Sequence, residues 1–211
     1  MFAAPDLSDE VVTTRIAGEA TGTFEDALKA LTVAPPSVSA YAYRMDQMRA
    51  TLDAMLAKVE FKIDPNRVVL AGHSLGAWTA VNLALTETRH KALVLYSMGE
   101  LNYLYKQQRI FPADVIARLT VPVAYYYGSL EKQAVTAFGP TNAQFAYDTT
   151  SGRACIAEVR DGNHFVYVNR EIAPQSGGTP LQLQRIAEST LSFLGQYVLG
   201  VQTKVFANAC K

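Results

Sequence analysis

The sequence predicts a single α/β domain, residues 1–211, built on a doubly wound, mostly parallel sheet. Three observations carry that expectation. Four apolar segments of strand length are near-continuous rather than alternating, as strands buried on both faces are. Segments with helical spacing separate and follow them. The length of 211 residues suits one sizeable core and is short for two ordinary domains.

Residues 1–40 read as an irregular N-terminal region. In "YRMDQMRATLDAMLAKV", Met45, Met48, Leu52, Met55, Leu56 and Val59 fall on one stripe at three- and four-residue steps, predicting an amphipathic helix that covers the sheet. The strands are "RVVLA" (67–71), "KALVLYS" (91–97), "VPVAYYYG" (121–128) and "RACIAEV" (153–159). "APQSGGTP" (173–180) reads as a surface loop. A closing helix carries Leu183, Ala187, Leu191, Leu194 and Val198 on its buried stripe. Ligands of such sheets bind at the C-terminal ends of the strands.

At the end of the first strand stands Gly72-His73-Ser74-Leu75-Gly76, a G-x-S-x-G sequence between a buried strand and a helix-compatible run. A sharp turn there strains the central residue and lifts its hydroxyl above the sheet. Flanking glycines remove Cβ atoms that would clash. The N-terminus of the new helix and the amide of Leu75 then lie where an oxyanion can be stabilised.

A serine needs a base, and the chain has three histidines. His73 lies inside the elbow, with its side chain expected to point away from that of Ser74. His90, in "ETRHK", sits among charges at the far end of the sheet and reads as solvated. His164, in the loop "RDGNHF" after the fourth strand, shares the strand C-terminal face with Ser74 and is the candidate base. The imidazole needs a carboxylate. Glu131, on the loop leaving the third strand, is the preferred acid, and Glu100, leaving the second strand, is the alternative. Asp161 reads as shaping the histidine loop, and Asp148 falls in a polar turn. Trp78 and Tyr125 to Tyr127 are candidates for lining an acyl site, although aromatics beside a sheet are usually core.

Lys plus Arg and Asp plus Glu number 19 each, so no long-range field draws in nucleic acid or an anionic membrane. No apolar run approaches the roughly 18 residues that span a bilayer, and no secretory pattern opens the chain, which therefore reads as soluble. Neither a metal nor a cofactor is implied. Cys155 and Cys210 are too far apart for a C-x-x-C motif and leave two readings: reduced thiols, or a disulfide that ties the C-terminal tail to a strand and implies an oxidising, secreted or periplasmic, location.

Serine, acid and histidine in that order, with G-x-S-x-G after a strand, resemble the α/β-hydrolase superfamily over about Tyr43 to Val198. "YRMDQMRATLDAML", "IDPNRVVLAGHSLGAWTAV", "VPVAYYYGSLE", "NAQFA" and "DGNHF" are similar to its dienelactone-hydrolase-like and platelet-activating-factor-acetylhydrolase-like group, with cutinase-type polyester hydrolases as neighbours. The resemblance implies Ser74 as nucleophile, His164 as base and Glu131 as acid, where the family usually has Asp. Some acetylhydrolase relatives place the acid one strand earlier, at Glu100 here. Dienelactone hydrolases proper carry cysteine at the elbow, so Ser74 implies esterase chemistry on a small or polymeric ester.

The family has further strands before the elbow strand and a His-Gly loop that supplies a second oxyanion donor. Here 66 residues precede "RVVLA", "MFAAPDL" resembles only the tail of such a strand, and the His-Gly loop is absent. The resemblance thus implies an N-terminally shortened fold. Loss of one oxyanion donor weakens transition-state stabilisation by about 3 to 4 kcal/mol. The edge of "RVVLA" would be open to pairing with a second copy, which makes a homo-oligomer an expectation. Beside ester hydrolysis stand two other readings: thioesterase or acyltransferase chemistry on the same residues, and a catalytically impaired scaffold for ligand or partner binding.

Overall fold

A computed structural model describes residues 36–99, 110–135, 139–171, 173–202 and 210–211. Along these the chain forms α1 (Val38–Leu56), β1 (Val68–His73), α2 (Leu75–Ala84), β2 (His90–Tyr96), α3 (Ala113–Ala117), β3 (Val123–Gly128), α4 (Ser129–Val135), α5 (Asn142–Thr149), β4 (Ala154–Val159) and α6 (Pro180–Tyr197). The N-terminal region, including "MFAAPDL" and the place of the expected oxyanion loop, lies outside the described residues, as does Glu100.

The four predicted strands form one parallel sheet in the order β1-β2-β3-β4. Alternate residues point to opposite faces. Leu93, Leu95, Val123, Tyr125 and Ala154 join residues of α1, α2, α3 and α5 in the larger core. Ala92, Val94, Ala124, Tyr126 and Cys155 pack on the other side against Phe193 of α6. Each strand lies beside its predecessor, and uniform right-handed crossovers then put the connecting helices on one face. The other face is left to α6, and both faces are covered as the apolar strands require.

Two helices differ in part from the periodicity reading. The first buries the expected stripe at Met45 and half-buries it at Met48, Leu52, Met55 and Leu56, and it packs on α2, with Tyr41 and Tyr43 near its start also in the core. Val59 falls beyond its end in a 3-10 turn and is exposed. In α6, Leu191 and Ala187 face solvent, while Ile186, Ser189 and Phe193 are buried. The reason is chemical. The sheet presents two tyrosine hydroxyls to this helix, and they need partners: Tyr126 bonds Ser189 at 3.0 Å and Tyr96 bonds Thr190 at 2.8 Å. Polar side chains therefore share the buried stripe with Phe193 and with Leu194 and Val198 of the predicted one, so a purely apolar pattern places it only in part. The start of α6 is set by Thr179 and Gln182, which form a capping box ahead of Pro180.

His90 is buried rather than solvated. Its charged neighbours satisfy one another instead of drawing in water: Arg89 pairs with Glu87 at 2.6 Å and with Asp53 at 2.5 Å. The Arg89 hydrogen bond holds the Glu87 carboxyl down to about 2, against the opposing effect of burial. Burial pushes the His90 pKa below its ordinary value, with adjacent Lys91 a lesser contribution in the same sense. Asp148, expected in a polar turn, lies in α5 and accepts a hydrogen bond from Gln144.

Cys155 and Cys210 form a disulfide across 55 residues of chain. Lys211 donates to and accepts from the Ala154 backbone at 2.8 and 3.1 Å, so the end of the chain pairs antiparallel with β4. The Lys211 ammonium lies 4.8 Å from the Tyr147 ring centroid. Among the described residues, no helix is long and apolar enough to cross a membrane.

Cross-linking a loop of this length lowers the unfolded chain's entropy by the equivalent of about 4 kcal/mol. Reduction, or Cys210→Ser, should therefore lower the urea midpoint and the Tm substantially, as read by circular dichroism with and without dithiothreitol. His90 sets a pH response. Its folded pKa lies below the unfolded value of 6.5, so the unfolded chain binds the proton more readily as pH falls through that region. Unfolding free energy should drop from pH 7.5 to 5.5, by up to about 1.4 kcal/mol per pH unit for each such histidine. The drop should be smaller in His90→Gln.

Candidate active site

Ser74 sits at the junction of β1 and α2 with φ 55° and ψ −122°, the strained backbone expected of the elbow. The strain is held from the neighbouring strand: the Ser74 N–H lies 3.0 Å from both the Tyr96 and Ser97 carbonyl oxygens. The glycine at 72 is sterically required, because a Cβ there would lie 2.2 Å from the Gly76 carbonyl oxygen. The expectation for Gly76 is corrected. A Cβ on it meets nothing within 4 Å among the described residues, so its own missing side chain is not what permits the turn.

The structure brings together three of the sequence candidates. Ser74 Oγ is 2.9 Å from His164 Nε2, and His164 Nδ1 is 2.8 Å from Glu131 Oε1. Glu131 occupies the first turn of α4 rather than a free loop, and its side chain folds back over the end of β3. Its second oxygen accepts from the Gly128 N–H at 2.8 Å and from the Ser97 hydroxyl at 2.5 Å. Burial by itself would raise the Glu131 pKa. The hydrogen bonds from His164, Ser97 and Gly128 outweigh it and hold the carboxyl below its ordinary value. Glu131 is thus an ionised acceptor that fixes His164 with Nδ1 protonated, leaving Nε2 free to accept the Ser74 hydroxyl proton. The Glu131 side chain is 6% exposed and that of His164 29%, so the line runs from the interior to an accessible ring.

The histidine loop reaches this place because of a second close approach. A Cβ on Gly128 would lie 2.2 Å from the Gly162 carbonyl oxygen, and that carbonyl accepts the Leu130 N–H at 2.9 Å. Asp161, as expected, shapes the turn: it takes φ 54°, and its N–H donates to Ser129 Oγ at 2.8 Å.

Two residues that sequence reasoning did not assign complete the arrangement. Ser97, fully buried with φ 39°, donates its hydroxyl to Glu131 and offers its carbonyl to the Ser74 N–H. A polar residue closing an otherwise apolar strand was its available signal. His73, expected to point away from Ser74, meets the same histidine as Ser74 does: its Nε2 lies 2.7 Å from the His164 carbonyl oxygen.

A cavity of about 30 Å³ beside Ser74 is lined by Pro36, Leu75, Trp78, Met98, Gly99 and Ile110. Trp78 lines it while packing edge-on against Tyr41 at 5.5 Å. Tyr125, Tyr126 and Tyr127 are core. The Leu75 N–H, at the first position of α2, has no acceptor within its own helix. A larger hollow of about 180 Å³ lies between β4 and α6, lined by Tyr126, Arg185 and Ser189 among others. Ser74, His164 and Glu131 do not line it; of the three, Ser74 lines the smaller cavity.

No family model matches the chain, and no curated protein does either. Solved structures do. The acylaminoacyl peptidase of Pyrococcus horikoshii is similar at a TM-score of 0.53 and 12% identity over 74% of this chain and 28% of its own. The AtxE2 isopeptidase gives 0.55 and 15% over 89% of this chain and 30% of its own. A dienelactone hydrolase-like promiscuous phosphotriesterase from metagenomic libraries gives 0.52 and 16% over 83% of this chain and 67% of its own. The chain thus spans less than a third of the two peptidases. These likenesses assign the α/β-hydrolase fold.

The two glycines of the elbow should separate on substitution. Gly72→Ala forces backbone against backbone and should prevent folding or lower the Tm by many degrees. Gly76→Ala should leave the Tm within a few degrees or raise it, since alanine is favoured over glycine inside a helix by roughly 0.5–1 kcal/mol. Thermal denaturation followed by circular dichroism reads both.

Proposed function

We propose that this chain is a serine hydrolase that cleaves carboxylic esters through an acyl-enzyme. The observation that supports the reading is the hydrogen-bonded line Ser74–His164–Glu131, at 2.9 and 2.8 Å, with its serine on a strained strand-to-helix turn. In this reading His164 Nε2 takes the hydroxyl proton as Ser74 Oγ attacks the substrate carbonyl. The imidazolium that forms is stabilised by ionised Glu131. Negative charge developing on the carbonyl oxygen faces the Leu75 N–H and the N-terminus of α2. His164 then returns the proton to the departing alcohol, the carbonyl re-forms and Ser74 carries the acyl group. Water, deprotonated by the same imidazole, releases the acid.

The apolar lining of the cavity, Leu75, Trp78, Met98 and Ile110, suits a carbon substituent rather than a charged one and favours esters of apolar acids. The fold's solved neighbours include peptidases and a phosphotriesterase, so the ester assignment rests on this cavity and on the resemblance set out above.

Intact mass after treatment with a fluorophosphonate should show one adduct, absent in Ser74→Ala. That variant should retain the wild-type Tm and lose turnover of a p-nitrophenyl ester. An unlabelled wild type would instead favour a non-catalytic scaffold. Glu131→Gln should lower kcat on the order of 10⁴-fold, as disruption of a histidine's orienting acid does elsewhere. Glu100→Gln should leave kcat within a few-fold, and the reverse pattern would move the acid to the second strand.

A further inference from the structure

His73 is the last residue of β1, and Ser74, at φ 55°, opens the turn into α2. Here both neighbours act on the same partner. Ser74 Oγ meets the ring of His164 at 2.9 Å, while His73 Nε2 meets the backbone carbonyl of His164 at 2.7 Å. A carbonyl oxygen only accepts, so His73 Nε2 carries the hydrogen and donates it.

The rest of the His73 environment suits a fixed ring. It lies 4.8 Å from the His164 ring, 5.7 Å from Tyr167 and 6.3 Å from Phe165, centroid to centroid. Burial first, and the neighbouring His164 second, hold the His73 pKa below its ordinary value. His73 is therefore a neutral Nε2–H donor. Neutrality matters for its place: a cation there would oppose the imidazolium that His164 becomes during turnover.

We propose that His73 is a positioning residue that clamps the His164 loop to the nucleophile's own turn, a role that rests on the hydrolase reading above. Because His73 and Ser74 are consecutive, one short piece of backbone sets where the histidine loop is held and where the hydroxyl points. The separation of Oγ and Nε2 is thereby fixed from both ends of His164, and Glu131 fixes the rotation of its ring.

The test compares the wild type, His73→Leu and His73→Gln on p-nitrophenyl acetate, with Tm measured for each. Leucine keeps bulk and removes the donor; glutamine places an uncharged amide N–H where Nε2 was. Displacing a catalytic base by an ångström or less costs up to about 100-fold. His73→Leu should therefore lose 10- to 100-fold in kcat with KM within twofold, and His73→Gln should recover most of that loss. Should His73→Leu fail to fold, His73→Asn replaces it, its amide being one methylene too short to reach the carbonyl. A donor-less variant with wild-type kcat, or a glutamine variant as impaired as the leucine one, overturns the clamp while leaving the hydrolase reading intact. A wild type that neither turns over ester nor takes the fluorophosphonate overturns both.

Discussion

The carboxylate of Glu131 is the point on which the site depends. Its two oxygens accept three hydrogen bonds, and the donors come from the ends of three strands: Ser97 after β2, Gly128 at the end of β3 and His164 after β4. Ser97 extends the connection to the fourth, since its carbonyl accepts the Ser74 N–H at the end of β1. A charge this deep would be unstable with fewer donors. Its desolvation thus demands the very convergence of loops that brings Ser74 and His164 together.

Convergence of four loops needs backbone to touch backbone, and the sheet permits it at two places. Gly72 lets the first turn of α2 fold against β1, and Gly128 lets the Gly162 turn close over the end of β3. At each, a Cβ would stand 2.2 Å from a carbonyl oxygen, a distance that side-chain rotation cannot relieve. Positive φ angles at Ser74, Ser97 and Asp161 accompany these contacts. This strain lies just past the C-terminal ends of the strands, where hydrogen bonds to neighbouring strands and loops hold it.

The far side of the sheet bears on this arrangement through the same strands. Phe193 and the hydroxyl pairs Tyr126–Ser189 and Tyr96–Thr190 seat α6 against the central strands. Tyr96 and Tyr126 are themselves part of the site's framework: the Tyr96 carbonyl lies within hydrogen-bonding distance of the Ser74 N–H, and the Tyr126 carbonyl accepts the Ser97 N–H at 2.9 Å. The tail at Cys210 and Lys211 fastens to β4 by a disulfide and two backbone hydrogen bonds, covering part of the edge strand that precedes the histidine loop.

Much of this was legible in the residues alone. Continuous apolar runs place all four strands because a strand buried on both faces has no polar positions to hide it. The G-x-S-x-G sequence locates the turn, and position after a strand, at the face where strand C-termini lie, points to Ser74 and His164; it leaves Glu131 and Glu100 both open as the acid, and the 2.8 Å contact of Glu131 with His164 is a tertiary fact. What only the tertiary structure decided concerns contacts between segments distant in sequence. The buried stripe of α6 depended on tyrosine hydroxyls from β2 and β3, the covering of His90 on ion pairs that neutralise its neighbours, and the disulfide on where the tail pairs. The parts of Ser97 and His73 depended on acceptors 34 and 91 residues away. Local pattern records how a residue meets its own element. A hydrogen bond across the sheet leaves no periodic trace, because it is made by whichever atoms the packing of the strands brings within about 3 Å.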